Sequence, residues 1–324
     1  MLFHNNGDGT FTDVSERSGI GKLVGKGMGV AFADYDGDGR MDVFVANDTV
    51  PNFLFHNEGN GTFLEVAFPA GVAMNDDGRA LSSMGVDFRP VRGDALPSLF
   101  ITALSNETFP LYRNLGKGLF ADATYGASIG AATMPLSGWG AGIYDFDNDG
   151  RKDLFAACGD VQDNTELYSS RQSKQPNLLM LSTTDGKFRP LPFGAPAQHR
   201  GAVFADFDRD GRVDAVVTRL GERPVLLRNT MGAGNHRLAL KLEGTRSNRD
   251  GIGARVRLIA GAFEQWNHAT TSVGYASSSA REVHFGLGSI ATVDRIEIYW
   301  PSGVRQQIEH PAVDQYLTVR EEHP

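Results

Sequence analysis

A single cysteine, Cys158, stands in 324 residues. An internal disulfide framework is therefore excluded, and the fold must be braced in some other way. No stretch of about 18 consecutive apolar residues occurs, so no segment is written as a membrane-spanning helix. Basic runs are absent too. The 31 Lys and Arg against 39 Asp and Glu leave a formal charge of −8, which argues against nucleic acid as a partner. The first residues, MLFHNNGDGTF, lack the charged leader and apolar core of a signal peptide. There is no GxSxG elbow, and Cys158 follows an apolar run without a catalytic signature, so nucleophilic catalysis has no support.

Glycine is plentiful, at 39 residues, and hydrophobic residues make up 41%. That is enough for a core, with many tight turns between short strands. Two elements recur in alternation. One is a hairpin: LFHNNGDGTF (2–11), LFHNEGNGTF (54–63), LYRNLGKGLF (111–120) and LMLSTTDGKF (179–188). Each has a short apolar strand, a polar turn with glycine and a returning aromatic, the pattern of a β-hairpin. The other is an aspartate loop set between strand-like runs, with glycine five residues before its first position: Gly29, Gly140 and Gly201. Gly85 opens a fourth copy without a gap. First loop positions fall at Asp34, Pro90, Asp145 and Asp206, spaced by 56, 55 and 61 residues. Each unit reads strand, loop, strand, hairpin, and four-stranded units at such a period are propeller blades. In the third unit, residues 159–176 are polar and read as a long, mobile loop.

The loop DYDGDGRMD places Asp34, Asp36, Asp38 and Asp42 at positions 1, 3, 5 and 9. The same positions hold Asp145, Asp147, Asp149 and Asp153, and then Asp206, Asp208, Asp210 and Asp214. Position 6 is Gly39, Gly150 or Gly211, where a sharp turn needs positive φ. Position 7 is Arg40, Arg151 or Arg212, whose backbone carbonyl can ligate a cation although its side chain cannot. Hard oxygen donors without His or Cys in the loop suit Ca²⁺. An EF-hand would need a bidentate Glu at position 12 and a following helix; Val45, Ala156 and Val217 stand there in apolar runs. Ordinary Asp and Gly turn chemistry accounts for one or two such residues, not four in register three times. A glycosidase-like carboxylate pair is disfavoured by the repetition. The fourth copy has Pro90, Arg92, Asp94 and Ser98 at the ligand positions. No calcium is expected there, and Arg92 is expected to pair with Asp94 in place of the ion.

Beyond residue 231, Leu238, Leu240 and Leu242 alternate, as do Val256 and Leu258, then Ile296, Ile298 and Trp300. These are strands with one buried face, and WPSG (300–303) is a turn between two of them. SNRDGIGARV lacks the third glycine and the helix of a dinucleotide site and reads as a polar turn. SVGYASSS (272–279) reads as a polar loop with an exposed Tyr275. His268 and His284 stand too far apart to mark a metal pair.

The loops and hairpins resemble FG-GAP/VCBS repeats, the units of integrin-α-type propellers, over residues 1 to about 230. The segment from GNHRLALKLEGTRSNRDGIGARVRLIAG through SVGYASSS, HFGLG and IYWPSG is similar to the ASPIC/UnbV domain. The two in this order resemble the cartilage acidic protein family and its bacterial relatives. The resemblance implies an all-β chain: propeller blades over 1–231, four repeats with a leading hairpin from a seven-bladed propeller, and a small β-sandwich-like domain over 232–324. It carries the calcium role to the twelve aspartates and three arginine carbonyls named above. It also implies an extracellular or periplasmic location and a longer protein, with further repeats and a signal peptide upstream. The expected function is a non-enzymatic, calcium-binding adhesion module for a protein or glycan partner. The alternatives are a carbohydrate-active lyase or hydrolase and an accessory subunit of an envelope complex.

Overall fold

The structure, a computed structural model, describes residues 1–91, 93 and 95–322. The chain is all-β. A hairpin, β1 (Phe3–Asn5) and β2 (Phe11–Asp13), precedes three antiparallel sheets of four strands. The first holds β3 (Gly27–Ala33), β4 (Asp42–Asn47), β5 (Phe53–Asn57) and β6 (Phe63–Glu65). The second holds β7 (Val86–Arg89), β8 (Ser98–Ile101), β9 (Leu111–Gly116) and β10 (Leu119–Asp122). The third holds β11 (Gly138–Tyr144), β12 (Asp153–Cys158), β13 (Gln175–Ser182) and β14 (Phe188–Ala197). Spatial order follows chain order in each, the meander of a propeller blade.

The fourth blade departs from the repeat. It has three strands, β15 (His199–Ala205), β16 (Asp214–Arg219) and β17 (Glu222–Leu227). Residues 228–235, RNTMGAGN, carry no alternating apolar run to form a fourth strand. Residues 228–235 instead fold onto the third blade, where the Asn235 side-chain amide donates to the Asp147 carbonyl at 2.8 Å.

First strands of successive blades lie side by side: β3 by β7, β7 by β11, β11 by β15. The recurrent glycine five residues before each loop is explained here. A Cβ on Gly29 would lie 2.5 Å from the Met84 carbonyl oxygen, and one on Gly85 would lie 2.0 Å from that of Trp139. One on Gly140 would lie 2.8 Å from the Ala202 nitrogen. Two inner strands approach this closely only where a side chain is missing. At Gly201 the neighbour is Ser277 Oγ, 2.7 Å away, from the C-terminal domain.

That domain has β18 (His236–Glu243), β19 (Arg255–Ala260), β20 (Phe263–His268), β21 (Val283–Gly288), β22 (Arg295–Tyr299), β23 (Arg305–Glu309) and β24 (Gln315–Arg320). They form two sheets, β21-β18-β24 and β20-β19-β22-β23, with β18 and β24 parallel. The alternating Leu238, Leu240, Leu242, Val256, Leu258, Ile296, Ile298 and Trp300 share one buried core between them. The WPSG turn closes through the Val304 carbonyl, which accepts from the Trp300 amide at 2.9 Å. Asn248 bonds the amide and carbonyl of Ile252, which makes SNRDG a polar turn.

The SVGYASSS segment is not an exposed loop. Gly274 pairs with Val86 on β7 through two backbone bonds, of 2.8 and 3.3 Å. Ser272 donates to the Val30 carbonyl on β3. Phe204 of β15 donates its amide to Ser279 Oγ at 3.1 Å. Tyr275 meets Trp139 of β11 edge to face, ring centroids 5.0 Å apart. The segment thus runs across the inner strands of all four blades, and Val273 is 1% exposed. Residues 159–174 do form a loop, ending where β13 begins at Gln175; it closes on itself, with Glu166 accepting from the amide and hydroxyl of Ser173 at 2.6 and 2.7 Å.

Candidate metal centre

Each aspartate loop is an eight-residue connection between the first two strands of a blade. The residue before position 1 pairs with position 9: Ala33 with Asp42, Tyr144 with Asp153, Ala205 with Asp214. Arg89 pairs with Ser98 in the degenerate copy, so the gapless alignment holds in three dimensions. Position 6 takes positive φ at Gly39, Gly150 and Gly211. Position 4 does so as well, at Gly37, Asn148 and Arg209, a requirement the spacing did not reveal.

The carboxylates organise the loop backbone. Position 1 receives the position 6 amide: Gly39 to Asp34 at 3.0 Å, Gly150 to Asp145 at 2.8 Å, Gly211 to Asp206 at 2.5 Å. Position 5 receives the position 7 amide at 2.8, 2.8 and 3.0 Å. Position 9 joins the loop to the third strand. Asp42, Asp153 and Asp214 accept from the position 2 amide at 3.0–3.2 Å. They accept again from Asn57, Ser182 and Asn229 at 2.8, 2.8 and 2.7 Å. The arginine at position 7 has a side-chain role that sequence reasoning missed. Arg40, Arg151 and Arg212 each bond the position 5 carboxylate, Asp38, Asp149 or Asp210.

Acceptor oxygens converge despite their charge. Asp34, Asp36 and Asp38 each offer an oxygen within 4.8 Å of the others. So do Asp145, Asp147 and Asp153, and Asp206, Asp208 and Asp210. Asp42 joins Asp36 with His56, a third-strand residue absent from the sequence-based ligand set. Asp149 and Asp214 fall outside those clusters. Burial pushes the Asp42 carboxyl up to about 7. Burial, reinforced by Asp149, raises Asp145, and burial raises Asp153. Asp36 and Asp149 also rise, through desolvation and then through the neighbouring carboxylate. Half-buried carboxylates this close favour a bound cation, and the oxygen donor set fits a hard one. Two buried polar atoms beside the loops, Asn148 Oδ1 and His56 Nδ1, have no hydrogen-bond partner.

The expected Arg92–Asp94 pair lies outside the described residues. A different internal pair occupies the strand before that loop. Arg89 Nε bonds Asp87 at 3.1 Å, with side chains 2% and 0% exposed. Arg89 extends to the Tyr144 hydroxyl at 3.1 Å, and Asp87 accepts the Ile143 amide at 2.8 Å. The pair locks the second blade to the third. Paired and hydrogen-bonded in this way, two buried charges are tolerated.

An FG-GAP-like repeat model matches residues 1–45 and 34–101, and an ASPIC and UnbV model matches residues 244–324. The chain joins FG-GAP-like repeats to an ASPIC/UnbV domain. It is 27% identical over 304 residues to human cartilage acidic protein 1, covering 90% of this chain and 43% of that protein. The mouse protein of the same name is 26% identical over 307 residues, covering 90% and 44%. The chain thus spans under half the length of these relatives. Among solved structures, an Agrocybe aegerita lectin that recognises non-reducing terminal N-acetylglucosamine is 16% identical, with 70% of this chain and 74% of that one covered and a TM-score of 0.31. The Dos1 propeller is 12% identical, with 86% and 59% covered and a TM-score of 0.32. Scores this low add nothing to the fold argument.

The ASPIC/UnbV domain rests on all three intact aspartate loops. Arg255 Nη1 bonds Asp34 at 3.0 Å. Gly288 donates to the Asn148 carbonyl at 2.7 Å. Tyr316 donates its hydroxyl to Asp206, and His284 Nε2 lies 3.3 Å from the Gly211 carbonyl. The aspartate loops are therefore also the seat of the second domain.

Proposed function

We propose that the chain is a calcium-stabilised, non-enzymatic binding module that acts outside the cytoplasm on a protein or glycan partner. The observation that carries this is the threefold convergence of carboxylate oxygens within 4.8 Å, in loops that hold the blades and seat the C-terminal domain. Ca²⁺ would be held by the carboxylates at positions 1, 3, 5 and 9 and by the carbonyls of Arg40, Arg151 and Arg212. Bound there, it supplies charge neutralisation and cross-linking rather than a reactive centre. The one thiol, Cys158, is 0% exposed and burial pushes its pKa upward, so it is held un-ionised. The loops are open to solvent at positions 3 and 5, a geometry for weak sites that fill where free calcium is abundant, as in extracellular modules. The resemblance to cartilage acidic protein 1 supports the same location.

Elemental analysis of the untreated protein, followed by melting with and without EDTA, tests the calcium half of the reading. Three ions per chain and a large fall in Tm are expected. A count of zero, or a melt unmoved by EDTA, defeats it. A glycan array together with capture from an envelope extract tests the binding half. Calcium-dependent cleavage of a polysaccharide in that assay would defeat the non-enzymatic reading.

A further inference from the structure

A cleft of about 460 Å³ opens between the fourth blade and the ASPIC/UnbV domain. Its volume lies in the usual range for ligand sites, which favour domain junctions. Strand alternation builds one wall. Leu238, Leu240 and Leu242 face the core of their own domain, so Ala239 and Lys241 face the blade. Register places Ala239 between His284 on β21 and Tyr316 on β24, and Lys241 beside Thr318. The centre of that wall is therefore a methyl group, which leaves room above it. Glu282 extends the same face. The opposite wall comes from the propeller, with Tyr144 of the third blade and Phe204 of the fourth packed ring to ring, centroids 4.8 Å apart, and the aspartate loop of the fourth contributing Asp206 and Arg209.

Three features distinguish this cleft from a gap left by imperfect docking. His284 lines it at 7% exposure, and its Nδ1 has no hydrogen-bond partner, although buried polar atoms are ordinarily paired. Arg209 takes φ of 58° at the loop position where the sister loops have Gly37 and Asn148. That conformation is disfavoured for a long side chain, and it sets the guanidinium 5.9 Å from the Tyr316 ring centre. Arg209 and Glu282 line opposite walls, and neither makes an ion pair among the described residues.

We propose that this junction cleft binds a small neutral saccharide; the proposal rests on reading the chain as a binding module and names its ligand class. The walls offer donors from Arg209 and Lys241, an acceptor from Glu282, a hydroxyl from Thr318 and a ring face from Tyr316; Glu243 meets the Lys241 charge at 2.9 Å, which leaves Arg209 and Glu282 as one unpaired charge of each sign. Donors and acceptors of balanced charge around an aromatic ring match a polyhydroxylated ring with apolar C–H faces. An apolar ligand would strand those polar groups without partners. A charged ligand would meet a like charge on one wall.

The test uses the full chain loaded with calcium. Saturation-transfer NMR and calorimetry would follow glucose, galactose, mannose, cellobiose and lactose, with glucuronate as the charged comparison. At least one neutral sugar should bind. Ala239→Leu, which fills the floor, and Glu282→Gln should each weaken it about tenfold, the loss usual for a central contact, with Tm nearly unchanged. Arg209→Asn suits the left-handed backbone and should weaken binding while preserving the loop. Binding of glucuronate alone, no binding of any sugar, or sugar binding untouched by the three variants overturns the proposal. In the last case the chain still binds a glycan, so the cleft falls while the binding-module reading stands. If no sugar binds but calcium stabilises the fold and a protein is captured, the saccharide falls and the module reading again stands.

Discussion

The loops at 145–153 and 206–214 share one motif and one set of backbone bonds, yet the charge they gather is handled differently. In the first, Asp145 and Asp153 are each 1% exposed. Ser182 and Asn229 donate to position 9 in the two loops, so the preceding third-strand residues, Leu181 and Arg228, correspond. Leu181 offers no countercharge, and burial drives the Asp145 and Asp153 carboxyls upward. Arg228 bonds Asp208 and, at 3.2 Å, Asp210, and its hydrogen bond holds the Asp208 carboxyl below its ordinary value. The loop at 34–42 has His56 at the same place, 3.4 Å from both Asp36 and Asp42. A motif therefore shows which atoms can hold an ion. The side chain opposite decides how badly the fold needs one.

The largest expected effect is removal of all the calcium. Each site held at 100 times its dissociation constant contributes about 2.7 kcal/mol, and three such sites rival the whole stability of an ordinary domain, roughly 5–15 kcal/mol. EDTA should lower Tm steeply, and readdition of Ca²⁺ should restore it. Next, Asp147→Ala and Asp208→Ala should each remove one ion by elemental analysis, but Asp147→Ala should lower Tm more. Equal losses would break the contrast between the two loops.

Exchanging the third-strand residues sharpens it further. Arg228→Leu should increase the sensitivity of the fourth blade to EDTA, while Leu181→Arg should reduce that of the third. Each change is expected to be small, since Arg228 is largely exposed and its ion pairs are screened. Denaturant unfolding in EDTA measures both, and the idea fails if neither variant shifts the midpoint.

A smaller effect concerns pH in the calcium-free protein. Asp42 has a folded-state value of about 7, raised from 3.8. Its folded form prefers the proton, so its stabilising contribution is present below the ordinary carboxylate range and is lost as pH rises through about 7. Between pH 6.5 and 8, the EDTA-treated protein should lose stability, and Asp42→Asn should flatten that slope. The window lies above the range in which His268 and His284, held neutral by burial, destabilise the fold on acidification. A slope unchanged by Asp42→Asn would show that this carboxyl does not carry the charge strain.

Much of this was legible because the chemistry is local. Nine consecutive residues contain the aspartates at positions 1, 3, 5 and 9, the position 6 glycine and the position 7 arginine, so spacing alone exposes the loop. Hairpins of ten residues are equally compact in sequence. The degenerate copy at 90–98 aligned without a gap because strand pairing fixes the loop length. The partners supplied from a distance were not legible. Arg228 reaches Asp208 from 20 residues away, and Arg89 reaches Asn267 and Thr270 across 178 and 181 residues. The polar look of SVGYASSS misled because its hydroxyls and amides satisfy backbone groups of other strands rather than water.

By itself, the sequence determined the all-β class, the blade repeat, the loops that gather carboxylates and the alternating core of the C-terminal sheets. Those follow from short-range periodicity and from backbone conformations that only certain residues adopt. Tertiary structure alone decided that a C-terminal segment runs across the inner strands of the blades. It also decided that each intact aspartate loop acquires a different counterpart, whether His56, Leu181 or Arg228. Such outcomes depend on which surfaces meet after folding, because the field at a carboxylate is set by neighbours a few ångströms away in space, whatever their distance along the chain.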